Sequence, residues 1–272
     1  IDRLIAPCLV LINKHCVWEL PNISYRAKGR SLLSLNKAES KERINMVTAT
    51  KFTSLKEAYD TVGGLSKPGK MPTFGFSISA ARCNTGSKLA KQEGSACYGC
   101  YALKGRYPFP NVQDAMERRY QRWKNNRKEW VDAMCYIMEN NKVIQETKVF
   151  RWFDSGDLQG EEMLDDINEI AWRSEDVKFW LPTKEYVVMK NYSKEVAPNL
   201  NIRISHPKLN SSYPSDVFAD YVNSSIYKKD KLGEVPSGAK VCPATVPGNP
   251  NMCGDCRNCW DPSVREVVYI YH

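Results

Sequence analysis

The sequence lacks any run of about 18 consecutive apolar residues, so no segment reads as a membrane-spanning helix. Its opening stretch, Ile1 to Val10 with Asp2 and Arg3 inside it, lacks the basic-then-apolar order of a secretory signal. The expected location is therefore the cytoplasm, with no membrane partner. The polar bias of a disordered chain is missing too, since 42% of the 272 residues are hydrophobic and 11% aromatic. That supplies a core for one large domain or two small ones. An acidic excess is also absent. Basic residues number 39 against 31 acidic, and the net charge of +8 favours an anionic substrate or nucleic acid as partner. Part of that excess lies in Glu117-Arg118-Arg119-Tyr120-Gln121-Arg122-Trp123-Lys124, which also reads as the solvated face of an amphipathic helix.

Cysteine is abundant. A disulfide framework and a set of metal ligands compete for the ten of them. Disulfide scaffolds are usually small secreted chains with cysteines spread throughout, whereas here seven of the ten fall within residues 83–100 and 242–259. Each window contains Cys-x-x-Cys, so metal ligation is the expectation. Cys8 and Cys16 read as buried thiols. Cys135 reads the same way, because it lies on an apolar stripe.

Residues 1–45 form an N-terminal extension without an assigned role, 46–238 the main domain and 239–272 a cysteine-rich C-terminal segment. Thr73–Ser79 alternates as a strand does and runs into Cys83. One long helical pattern then carries Val112, Met116, Tyr120, Trp123, Trp130, Met134 and Met138 at three- and four-residue spacing. Further strands are predicted at 148–153, 177–181 and 200–205, with helices around 163–171 and 184–192 and a long polar loop at 207–238. Alternating strands and helices imply right-handed crossovers and a parallel sheet, doubly wound or barrel-like. In such sheets ligands gather at the carboxyl ends of the strands. Cys83, Asp154-Ser155-Gly156-Asp157, Thr183-Lys184-Glu185 and Ser205-His206 all occupy such ends.

The first group, Cys83-x13-Cys97-x2-Cys100, offers three thiolates without a fourth nearby. On a cubane iron–sulfur cluster this leaves one iron open to a substrate or cofactor; a zinc knuckle or unmetallated core thiols are the alternatives. The second group, Cys242-x10-Cys253-x2-Cys256-x2-Cys259, offers four thiolates in a closed site, and spacing alone suits a second cluster or zinc.

Gly69-Lys70, then Cys97-x-x-Cys100-Tyr101-Ala102-x-Lys104-Gly105-x-Tyr107, then Ser155-Gly156-Asp157 together resemble the bacteriophage and plasmid family called gene product 88, over about residues 65–260. More distantly, the layout is similar to the radical S-adenosylmethionine superfamily. That resemblance implies a partial parallel βα barrel and a 4Fe-4S cluster on Cys83, Cys97 and Cys100. It also implies S-adenosylmethionine held by Ser155-Gly156-Asp157, in the place of a Gly-Gly-Glu-like segment; Arg203 and Ser205, at another strand end, line the same mouth by position. The first cysteine gap here is thirteen residues, against three in that superfamily.

Three functions follow. The first is redox or radical chemistry at the open iron, fed by an electron donor protein. The second is a non-enzymatic electron carrier or redox sensor. The third is a zinc-stabilised nucleic-acid-binding protein using aromatics such as Tyr107 and Trp123.

Overall fold

In the computed structural model, which describes residues 52–213, 218–249 and 252–271, the chain runs from helix α1 (Leu55–Val62) to a short strand β1 (Gly75–Phe76) and helix α2 (Asn84–Leu89). Helices α3 (Pro110–Asn125), α4 (Arg127–Asn140) and α5 (Lys142–Thr147) lead to β2 (Val149–Trp152), α6 (Glu161–Arg173), β3 (Lys178–Thr183) and α7 (Tyr186–Asn191). Strands β4 (Leu200–Leu209), β5 (Val222–Tyr227), β6 (Lys240–Val241) and β7 (Glu266–Ile270) complete it. These residues all fall within 48–272; Cys8, Cys16 and the N-terminal extension lie outside the described residues. Among the described residues, no helix is long and apolar enough to cross a membrane.

All seven strands join one parallel sheet in the order β1-β2-β3-β4-β5-β7-β6. The sheet does not close on itself, and β1 and β6 are its edges. From β1 to β5 each strand pairs with its predecessor in the chain. With right-handed crossovers, every such step carries the connection over the same face.

Alternation along the strands matches this asymmetry. Phe150, Trp152, Phe179, Leu181, Ile202 and Ile204 share a core with α4 and α6 residues such as Trp130, Met134 and Ile167. Their neighbours Val149 and Trp180 point the other way, into a smaller cluster with Cys259, Trp260 and Val267. One face therefore carries the helices and the other carries the C-terminal cysteine segment.

The predicted single helix across residues 112–138 is two helices, α3 and α4, because Asn126 leaves the helical region with φ −151° and ψ 69°. The apolar stripe continues across the break: Trp123 and Trp130 are both buried. The predicted loop 207–238 is also corrected, since β4 extends to Leu209 and β5 lies wholly inside that stretch.

Cys135 is 2% exposed within the main core, as its place on the stripe implies. Cys135→Ser is expected to lower stability by about 1–3 kcal/mol, because a hydroxyl would stand in an apolar site without a partner. Chemical denaturation checks the loss, and metal content is expected to stay unchanged.

Candidate metal centre

Strand β1 delivers the chain into a 3-10 turn, Ala80–Arg82, that ends at Cys83, which in turn caps α2. The first turn of α2 contains Gly86, and its lack of a side chain makes room for sulfur. A Cβ there would stand 3.0 Å from Cys83 Cβ, 3.6 Å from Cys83 Sγ and 3.8 Å from Cys97 Sγ. Thiols fourteen residues apart in sequence thus meet over one glycine. Cys97 and Cys100 are joined by a tight turn in which the Cys100 amide donates to the Cys97 carbonyl (3.1 Å), with Gly99 at φ +68°. Glycine takes that left-handed conformation without steric cost. Burial pushes the Cys83 thiol up first, and Asp157, Cys100 and Cys97 add to the shift. Burial also raises Cys97, partly offset by the Lys184 cation.

Tyr101 and Tyr107, from the family-like segment, tie this loop to the end of β2. The Tyr101 hydroxyl donates to the Asp154 carbonyl (2.5 Å), and the Tyr107 hydroxyl donates to Asp154 Oδ2 (3.0 Å). Ser66 holds the other carboxylate oxygen at 2.8 Å. A second tie reaches β4, where the Ala96 amide donates to the Pro207 carbonyl (2.7 Å). A third reaches the end of β3, where Glu185 accepts from the Thr85 amide (3.0 Å) and hydroxyl (2.9 Å).

Ser155, Gly156 and Asp157 lie where the sequence places them, beside the first cysteine group. Gly156 has φ +83°, and a Cβ on it would stand 2.3 Å from Ile78 Cγ1 and 2.8 Å from the Ile78 carbonyl oxygen, so only glycine fits. Asp157 accepts from the Thr183 hydroxyl (2.6 Å), the Leu158 amide (2.8 Å) and the Lys184 amide (2.9 Å). Burial lifts its carboxyl to about 6 against these donors, which pull it down. Asp157 therefore fastens the end of β2 to the end of β3. Ser155 is buried, and among the described residues its hydroxyl has no partner.

Arg203 and Ser205, expected at the same mouth, are placed differently. Ser205 Oγ pairs with Ser224 Oγ at 3.0 Å. Arg203 is wholly buried, and its guanidinium donates to five backbone carbonyls. These belong to Cys259 (3.0 Å), Asn223 (3.1 Å), Val264 (3.0 Å), Asn258 (2.6 Å) and Asp261 (2.9 Å). Its donors are thus engaged in setting the C-terminal cysteine segment onto the sheet.

That segment is fixed at other points as well. The Trp260 indole donates to the Phe150 carbonyl (2.8 Å), the Cys242 amide to Val268 (2.8 Å) and the Cys253 amide to Lys70 (2.9 Å). Cys253 and Cys256 are also joined across a turn, with a 3.0 Å bond from the Cys256 amide to the Cys253 carbonyl, but here the positive φ falls at its second residue, Gly254 (+51°), not its third. The thiols of Cys242, Cys253 and Cys259 are raised by burial, Cys259 to about 12, and all three are pulled back by Arg151. Cys256 in turn adds to the upward push on Cys242 and Cys253. Among the described residues, no group of three or more His, Cys, Asp or Glu side chains is close enough together to hold a single metal ion.

Sequence reasoning missed Arg151. Its Nη1 touches Met71 Sδ (3.8 Å), which also touches Cys253 Sγ (3.9 Å), and the guanidinium lies 4.4 Å from the Trp180 ring centre. The signal was available, since Arg151 is the one charge within Val149-Phe150-Arg151-Trp152. The aromatics expected at a nucleic-acid surface are engaged elsewhere: Trp123 is buried and donates to Asp166 (2.7 Å), and Tyr107 is held by Asp154.

No curated protein and no solved structure matches the chain. One family model does, across residues 37–262, which takes in both cysteine groups, the Tyr101–Tyr107 segment and the turn at Gly156. On that match, the chain belongs to the gene product 88 family.

Proposed function

We propose that this is a phage-encoded iron–sulfur protein of the host cytoplasm, in which Cys83, Cys97 and Cys100 hold a 4Fe-4S cluster with one iron open to a ligand. The observation that carries the reading is the approach of the Cys83 and Cys97 sulfurs to one another over Gly86, with Cys100 joined to Cys97 by a tight turn. Thiolates are soft ligands suited to iron–sulfur clusters, and three of them leave a cubane incomplete. The glycine-bearing turn at Gly156 follows β2, whose next residues include Asp157, near enough to Cys83 to raise its thiol. S-adenosylmethionine is the cofactor class that the radical-enzyme layout suggests. The singly wound strand order from β1 to β5 supports the partial-barrel form of that layout.

When bound, the cluster supplies one-electron transfer to the molecule on its open iron. The chain's own residues do the rest. Lys184 offsets negative charge at Cys97. Asp157 and Glu185 hold the three strand ends in register around the site. Cys242, Cys253, Cys256 and Cys259 would supply a second centre, cluster or zinc, on drawing closer together than they stand here, with Arg151 as a neighbouring cation.

Iron and acid-labile sulfide analysis of anaerobically purified protein tests the reading. Several irons per chain and absorbance near about 400 nm are expected. A colourless protein containing only zinc would reject it. A change in the electron-spin spectrum of the reduced protein on adding S-adenosylmethionine separates an enzyme from an electron carrier.

A further inference from the structure

The segment that carries Cys97 and Cys100 also carries an exposed, unpaired basic and aromatic surface. Tyr98 is 46% exposed, Tyr101 62%, Leu103 51% and Phe109 54%. Lys88, Lys91, Lys104 and Arg106 are exposed between and beside them. Among the described residues, none of these four cations has an ion-pair partner, whereas nearby Arg82 is taken by Glu117 at 2.7 Å. From Lys88 to Phe109 the only carboxylate is Glu93.

Short hydrogen bonds gather these side chains into one lobe. Ser95 Oγ donates to the Leu89 carbonyl (2.5 Å) and accepts from the Tyr98 amide (3.0 Å), which sets the end of α2 beside Tyr98. Lys104 Nζ lies 3.2 Å from where a Gly99 Cβ would stand, and successive turns link Tyr101 to Lys104, Lys104 to Tyr107 and Arg106 to Phe109.

We propose that residues 88–109 form a binding surface for single-stranded nucleic acid, which lays the strand across the mouth of the three-cysteine site. Unpaired cations among exposed rings suit a polymer that offers a phosphate and a base at every step, because phosphates draw the cations and bases stack on the rings. A protein partner fits less well, since protein interfaces are depleted in lysine. The assignment makes a polynucleotide the substrate class for any chemistry at the neighbouring cysteines, but binding itself does not depend on a metal being there.

Fluorescence anisotropy of a labelled oligothymidine of roughly 15 nucleotides, long enough for one such site, tests the proposal on the full-length protein. Binding is expected to weaken with salt, with a slope of about −0.7 for each phosphate neutralised. Lys88→Glu with Lys91→Glu should flatten that slope. Tyr98→Ala with Phe109→Ala should weaken binding roughly tenfold or more while leaving the slope alone. Tyr98→Ala by itself, at a solvent-facing ring, serves as the variant least able to disturb folding, and unchanged thermal unfolding confirms that it has not. No binding at low salt would overturn the proposal. So would heparin competing as well as the oligonucleotide while the ring variants bind like the parent, since that describes a surface for acidic proteins or polyanions without base recognition.

Discussion

Replacing Cys97 or Cys100 with Ala is expected to remove the absorbance of the first centre and to lower iron and sulfide together. On the proposed cluster each variant would leave two thiolates of three, and two irons would lack a protein ligand. The loss should be nearly complete, because the remaining donors near the site are committed. Asp157 already accepts three hydrogen bonds and Glu185 holds Thr85. Thermal unfolding should change much less than iron content, since Cys97 and Cys100 lie on a turn outside the main core. Iron content equal to that of the parent in both variants would refute the first centre.

Arg203→Met is expected to cost about 3–5 kcal/mol, by leaving several buried carbonyl oxygens without donors and the site without its buried cation. Three of its five acceptors, Asn258, Cys259 and Asp261, lie in the last cysteine turn. If the two proposed centres are present, the damage should be uneven, with metal lost at the C-terminal group and kept at Cys83, Cys97 and Cys100. Arg203→Lys should recover little, because an ammonium cannot span five acceptors with a planar fork. A Met variant with parental stability and full metal at both groups would show that Arg203 positions nothing.

The sequence announced some of this architecture better than the rest, for physical reasons. Residues 148–153 and 177–181 read as strands because a strand buried on both faces is a nearly continuous apolar run. Strand β5, Val-Asn-Ser-Ser-Ile-Tyr, reads as loop because the residues it buries are small and polar, with Ser225 held by Glu266 (2.5 Å). The seven grouped cysteines stood out by spacing alone. The work of Arg203 and Asp157 did not, because their partners are backbone groups and a threonine hydroxyl, which leave no mark in a pattern of residue types. Closure was also out of reach: the same alternation of elements serves a barrel and an open sheet, and only strand pairing tells them apart.

The placement of Trp260 has a consequence for synthesis. Its indole closes on the Phe150 carbonyl, and Cys253 closes on Lys70, so a segment synthesised late covers surfaces made much earlier. Until residue 260 emerges, one face of the nascent sheet, with Val149 and Trp180 on it, has no cover. The first cysteine group, by contrast, gains Asp157 and Glu185 well before Trp260 is made. The two sites are thus assembled in sequence, and the second serves as a late latch. A chain cut short before Trp260 would present an apolar sheet face to its neighbours, which is the kind of surface that drives misassembly of partly folded chains.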